Sequence, residues 1–526
     1  MSDQKSEPSL RLRFFLWIGA AFVVLALPAF ALGGVTWDEL FDFEGVNGAY
    51  WHGLNTLKGL NPDLSTITYD LEYFGNATRW PTYLVWRFLS TTPWESFLGL
   101  SRTASILGSG YVGLNHLNAL IFGFLGILFV GLVGNCLAGW RLAVLSSVFL
   151  LLLPAWLGHS WMNSKDIPFA TSYLIYTYGS TLMLKTFAGT RDKDLLNRPQ
   201  LWRVVGISLL LGSRIGSIPF ILISESIYYY FLRGRYLGVA PSVVVGAVLA
   251  FILTPQAWGD PFGYPLEAVG FIGGRHGSAS PIDTFNYLAF HLFESLPIVL
   301  VMGLLFSLLA FGCRGGAAKS FWYPLLLQLL IAPCLLVIGS KSIYNELRHI
   351  TFIYPCLCVF SASGWLGLFE GFRRRRRQKL AGLFLALGVV FAVILALENI
   401  ALAPYQYVYR SDLARLLNPG VVLHRDYWGF SVRDTTARCL KDQRCSSLIA
   451  SVPYELRPGD WNQDLFDGFR ELLQSPYVKT VEVDNPVLQL QISSLPDRCT
   501  SLVETKRFVL FPSPAQQLLS RVASCS

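Results

Sequence analysis

Apolar runs of about twenty residues, the length that crosses a bilayer as a helix, recur along most of this chain, separated by short polar loops. The first run is Phe14 to Leu32. Later ones fall at about 114–136, 142–157, 168–187, 237–254, 290–311, 323–339, 350–368 and 380–402. The stretch 204–232 is long for one crossing and short for two, and Gly212-Ser213-Arg214-Ile215-Gly216 interrupts it. The basic clusters arbitrate. A single crossing would put Arg233, Arg235 and Arg373 to Arg377 outside, against the positive-inside tendency, whereas a short broken pair with Arg214 at its outer turn puts every basic cluster inside. The expected fold is therefore an α-helical polytopic membrane protein of about eleven spans, N-terminus in and C-terminus out. Residues 1–402 form the transmembrane module, and 33–113 form a long first outer loop with interfacial helices. The Phe14 to Leu32 run reads as a retained helix, because no small-residue cleavage site follows it.

After about residue 402 the texture changes. Residues 403–526 are polar, with mixed charge and short alternating runs such as Thr480-Val481-Glu482-Val483, and predict a small extracytoplasmic α/β domain. Four of the 9 cysteines (Cys439, Cys445, Cys499 and Cys525) lie there, and an even number in an outer domain suggests the disulfides Cys439–Cys445 and Cys499–Cys525.

Composition agrees with a membrane protein. The 526 residues are 53% hydrophobic and 14% charged, with a mean hydropathy of +0.45, where a soluble domain carries about 25% charged residues. The net charge of +8 resides mainly in short loops, so it sets topology and does not point to nucleic acid. Arg373 to Arg377 is a cytoplasmic anchor on this reading.

The candidate chemistry gathers in the outer loops. Thr36-Trp37-Asp38-Glu39-Leu40-Phe41-Asp42-Phe43-Glu44 packs four carboxylates into seven residues just after the first span. The other loops on that side hold His52, His159, Asn163-Ser164-Lys165-Asp166-Ile167-Pro168, Arg214, Arg275-His276, and Lys341 with Arg348-His349. Cations to hold a phosphate and a carboxylate to take a proton from an acceptor are what a reaction on an anionic lipid-linked substrate needs. Bland roles stand beside these. Lys165 and Asp166 could form an internal ion pair at a helix start, Pro168 suiting a first turn, and lone histidines are more often structural.

An acidic motif directly after the first helix, a long first loop, many spans and an outer C-terminal domain resemble the GT-C glycosyltransferases, and in particular bacterial relatives of protein O-mannosyltransferases and aminoarabinose transferases. Asn163-Ser164-Lys165-Asp166-Ile167-Pro168-Phe169, Leu347-Arg348-His349 with Tyr354-Pro355, and Pro404-Tyr405-Gln406-Tyr407-Val408-Tyr409 followed by Asp426-Tyr427-Trp428-Gly429 carry the likeness, which covers most of residues 14–430. Ser164 stands where relatives often have Pro, a change expected to cost loop rigidity more than chemistry. Arg410 takes a place where relatives often carry Asn and is given no role.

The resemblance implies an inverting transfer of a sugar from a polyprenyl-phosphate carrier on the periplasmic face of a bacterial inner membrane. The acceptor would be a lipid, glycan or protein. Asp38 would be the base with Glu39 in support. Lys165, Asp166, Arg214, Arg275, His276, Arg348, His349, Asn163 and His159 would bind substrate. No nucleotide cofactor is implied; a divalent metal such as Mg or Mn, if used, would take Asp38, Glu39 and Asp42. A transporter, a flippase for lipid-linked oligosaccharides or an inactive assembly scaffold is the alternative. A transporter would place ionisable residues in mid-span and show internal repeats. Here Arg214, Glu225 and Glu398 are the main mid-span candidates, and no repeat is evident.

Overall fold

A computed structural model describes residues 8–32, 37–60, 75–90, 111–187, 198–232, 240–275, 280–312, 320–339, 348–419, 499–509 and 515–525. Among them, helices dominate: α1 (Pro8–Leu32), α2 (Trp37–Leu57), α3 (Trp80–Leu89), α4 (Tyr111–Ala138), α5 (Trp140–Leu152), α6 (Pro154–Ser160), α7 (Asp166–Phe187), α8 (Pro199–Ser213), α9 (Ile218–Leu232), α10 (Ala240–Ile252), α11 (Gly263–Arg275), α12 (Pro281–Ser295), α13 (Ile298–Gly312), α14 (Tyr323–Ile338), α15 (Tyr354–Arg374), α16 (Gln378–Leu402) and α17 (Asp412–Leu417). Single turns of 3-10 helix at Ile215–Ser217, Pro255–Ala257 and Gln406–Val408, and a longer one at Arg348–Ile353, join them.

Four helices among the described residues are long and apolar enough to cross a membrane: Tyr111–Ala138, Ile215–Leu232, Ile350–Arg374 and Gln378–Leu402. Two bent pairs, Trp140–Leu152 with Pro154–Ser160 (69°) and Pro281–Ser295 with Ile298–Leu309 (115°), raise the number to 6. Shorter apolar helices run over Phe14–Pro28, Ala240–Ile252 and Tyr323–Ile338, and α7 illustrates why apolarity alone does not count spans. It is enclosed by other helices from Asp166 to Leu184, and it buries Thr171, Ser172, Thr177, Ser180 and Thr181. A helix shielded from lipid on every side can carry hydroxyls, because its neighbours supply hydrogen-bond partners.

α8 is seated on α7 through two glycines. A Cβ on Gly206 would stand 2.4 Å from the Tyr176 backbone nitrogen, and one on Gly179 would stand 2.7 Å from that of Arg203. The two backbones touch where any side chain would force them apart. The interruption expected near Arg214 is present: α8 ends at Ser213, Arg214 is extended (φ −146°, ψ 102°), and a 3-10 turn leads into α9. Arg203 precedes the break by eleven residues and Glu225 follows it by eleven, so each lies about 16 Å from the turn at 1.5 Å per residue. They therefore meet. Arg203 Nη2 donates to both carboxylate oxygens of Glu225 at 2.7 and 2.8 Å, its Nη1 donates to Ser180 and its Nε to Ser242, and the Tyr176 hydroxyl donates to Glu225. All three guanidinium nitrogens find partners, which makes a buried charge tolerable.

Beyond α16 the chain folds back on the bundle. Gln406–Val408 crosses α6 so closely that a Cβ on Gly158 would lie 2.3 Å from the Tyr407 nitrogen. Arg410 pairs with Glu294 of α12 at 2.8 Å, Arg415 pairs with Glu398 of α16 at 2.9 Å, and Asp412 accepts from the Ile298 amide at the start of α13. Arg410, given no role from sequence, is thus a buried tether. Of the expected α/β domain, the described part after this tether is an antiparallel ribbon of β1 (Cys499–Val509) and β2 (Ala515–Cys525) whose register sets Cys499 opposite Cys525. Cys439, Cys445 and the Asp426 motif lie outside the described residues.

Candidate active site

The acidic motif is the start of a helix. α2 begins at Trp37, which puts Asp38 and Glu39 in its first turn, where the exposed amides of a helix favour carboxylates. The described side chains do not include these two. One turn further, at the i+4 spacing that shares a helix face, comes Asp42, which is buried. Its Oδ1 accepts from Lys165 Nζ at 2.5 Å and from Arg79 Nη1 at 3.3 Å, and its Oδ2 accepts from the Ser164 hydroxyl. Arg79 is itself fixed by the carbonyl of Gly75 at 3.3 Å.

The loop that meets Asp42 is Asn163-Ser164-Lys165, between α6 and α7. Asn163 folds it. Its Oδ1 accepts from the amides of Lys165 (3.3 Å) and Asp166 (2.9 Å), the side-chain cap that short polar residues provide at a helix start. Its Nδ2 donates to Asp166 Oδ2 at 2.9 Å and to His159 Nδ1 at 3.1 Å. An amide nitrogen can only donate, so His159 Nδ1 is the acceptor.

Asp166 collects the two distant arginines. Arg214 Nη2, at the α8–α9 break, donates to Oδ1, while Arg348 Nε, at the start of Arg348–Ile353, donates to Oδ2 at 3.1 Å. The Arg214 guanidinium also lies over the Phe169 ring, 5.2 Å from its centroid. Lys165 and Asp166 thus form no internal pair: each turns to partners far away in sequence. Ser164 does more than loosen the loop, since a proline there would have no hydroxyl to give Asp42.

Around this loop, among the described residues, stand four cations (Arg79, Lys165, Arg214, Arg348) and the carboxylates of Asp42 and Asp166. The cations divide by exposure. Arg79 is 3% exposed, whereas the side chains of Arg348, Lys165 and Arg214 are 10, 15 and 22% exposed. Three cations therefore reach a surface that the fourth does not. Such a cluster can hold an anion through charge-assisted hydrogen bonds.

Of the residues expected here, the structure brings together His159, Asn163, Lys165, Asp166, Arg214 and Arg348, next to the helix that begins with Asp38 and Glu39. Arg275 ends α11 and His349 lies in Arg348–Ile353, but their side chains are not among those described, and His276 lies outside the described residues. His52, further along α2, instead faces the Pro255 carbonyl at 3.3 Å. Arg79 and Ser164 were missed from sequence. Asp42 had been placed in an expected metal set, but its carboxylate is already enclosed by two cations and a hydroxyl, which does not fit a ligand for a divalent ion. Among the described residues no group of three or more His, Cys, Asp or Glu stands together.

No protein-family model matches the chain, and no curated protein matches it. Solved structures do. The chain is similar to ArnT from Cupriavidus metallidurans bound to undecaprenyl phosphate, at 15% identity over 90% of this chain and 86% of that one, with a TM-score of 0.47. Against the apo state of the same protein the TM-score is 0.43. The archaeal oligosaccharyltransferase AglB from Archaeoglobus fulgidus, in complex with an inhibitory peptide and a dolichol-phosphate, is similar over 75% of this chain at 15% identity and a TM-score of 0.43. The chain spans 56% of AglB's length. All three scores lie below 0.5.

Proposed function

We propose that the protein is a membrane glycosyltransferase that takes a sugar from a polyprenyl-phosphate carrier and passes it to a hydroxyl or amine on the periplasmic side of a bacterial inner membrane. The observation that carries the proposal is the gathering of Lys165, Arg214 and Arg348, from three separated elements, beside the first turn of α2.

The roles follow from charge. Asp38 removes the acceptor's proton as its oxygen or nitrogen attacks the anomeric carbon from the face opposite the phosphate. The bond from that carbon to the phosphate oxygen breaks, and its electron pair leaves with the polyprenyl phosphate, inverting the anomeric centre. Arg348, Arg214 and Lys165 hold the phosphate and stabilise the charge that develops on it. Asp166 keeps the two guanidinium groups apart and aimed, while Asn163 and His159 fix Asp166. Asp42 does the same for Lys165 and ties the loop to the helix that carries Asp38. Glu39 orients the acceptor.

The test is transfer from radiolabelled polyprenyl-phosphate sugars by purified protein, with membrane extract as acceptor source. Asp38→Asn is expected to abolish transfer while the donor still binds, because an amide cannot take the proton. Arg348→Ala is expected to weaken donor binding. Equal transfer by the wild type and Asp38→Asn would remove Asp38 from the reaction. Binding of the donor without transfer by any variant, wild type included, would point to a flippase.

A further inference from the structure

Arg348 stands on an irregular piece of backbone. Residues Arg348–Ile353 form a 3-10 helix broken at Ile350 (φ −121°, ψ 24°) before α15 begins at Tyr354. Irregular backbone inside a bundle needs partners from elsewhere. One is Gln328, in the middle of α14 and wholly buried. Its Nε2 donates to the Phe352 carbonyl at 2.7 Å, and its Oε1 accepts from the Thr177 hydroxyl of α7 at 2.6 Å. The amide has a single workable orientation, because a flip would set its oxygen against the Phe352 carbonyl. The same α7 supplies Asp166 to Arg348 at its other end. The ring of Phe352 is packed against Phe169 and Tyr173 of α7, with centroids 5.7 and 5.6 Å apart. Arg348–Ile353 is thus pinned to α7 at both ends, directly by Asp166 and through Gln328 by Thr177.

We propose that Gln328 is a positioning residue for Arg348: by fixing the Phe352 carbonyl it sets the path of the 3-10 segment and hence where the guanidinium stands. The proposal rests on the assignment of Arg348 to the carrier phosphate. Gln328 touches no substrate. Its nearly isosteric replacement Gln328→Met keeps the volume and removes both hydrogen bonds, and Thr177→Val removes only the outer one as a milder variant.

Two measurements on the full-length protein in detergent decide it. The first is a double-mutant cycle on thermal unfolding with Gln328→Met and Arg348→Ala. Residues that do not touch ordinarily give additive effects, so a purely structural glutamine predicts the sum of the two shifts, while positioning predicts a double variant clearly less destabilised than that sum. The second is equilibrium binding of a polyprenyl phosphate. Gln328→Met is expected to weaken it about tenfold, the scale of one buried hydrogen bond lost, and the double variant is expected to bind no more weakly than Arg348→Ala alone. Wild-type affinity in Gln328→Met, or additive shifts in melting, would overturn the proposal. If Gln328→Met does not fold, Thr177→Val takes its place in both arms. If the wild type binds no polyprenyl phosphate, the carrier assignment fails and the melting cycle alone decides the role of Gln328.

Discussion

At the scale of single residues, the loss of Asp166 would be felt by three side chains. Both arginines lean on it, and the Asn163 amide turns toward it. Removing one partner of a buried ion pair leaves an uncompensated charge, at a cost of about 3 kcal/mol or more. Asp166→Asn should therefore lower the thermal unfolding midpoint of the detergent-solubilised protein by several degrees, and more than Arg214→Ala, since Arg214 is the more exposed partner. Much of this arrangement was legible from residue types: Lys165, Asp166, Arg214 and Arg348 were all expected to converge. Their pairing was not. Lys165 and Asp166 are neighbours in sequence, and nothing local says that the first turns to Asp42, 123 positions away, while the second turns to Arg214 and Arg348. The one available signal was the i, i+4 spacing of Asp38 and Asp42, which becomes informative once the acidic motif is read as a helix start.

Among elements, the packing of α8 on α7 and of the 406–408 turn on α6 depends on missing side chains. Gly158→Ala would drive a Cβ into the Tyr407 backbone, which cannot yield as a flexible side chain would. Overpacking of this kind costs about 1–3 kcal/mol. Because α6 also carries His159, which supports Asn163, the substitution should reduce transfer as well as stability. Transfer by Gly158→Ala that equals the wild type at a lowered melting point would separate α6 from the site. These contacts were invisible in sequence, where Gly158 is one glycine among 46. The break at Arg214 was visible, because a Gly-Ser-Arg-Ile-Gly interruption and the placement of basic clusters pointed to the same position.

For the whole molecule, the buried pair Arg203–Glu225 joins both halves of the broken α8–α9 hairpin to α7 and α10. Glu225→Ala should be strongly destabilising, by about 3–5 kcal/mol, because it strands a guanidinium in the bundle. Replacing both members with Met should recover much of the loss, and comparison of the two melting points checks it. Arg203 follows Lys193 and Arg198 in a basic stretch of the sequence. Its charge alone gave no hint of burial, since the partner lies on a different helix. The polar residues of α7 have a related reason: hydropathy registers contact with lipid, and α7 has little.

The same pair bears on how the protein enters its membrane. α8 is synthesised first, and by itself it would carry a bare guanidinium near its start, a cost that rises to about 2.5–3.5 kcal/mol only at a helix centre. With only 15 residues it is also short for a crossing. The charge is offset once Glu225 arrives on α9. The two helices are therefore suited to partition out of the insertion machinery together, as one neutralised unit, with the arginine kept in a polar setting until its carboxylate has been made.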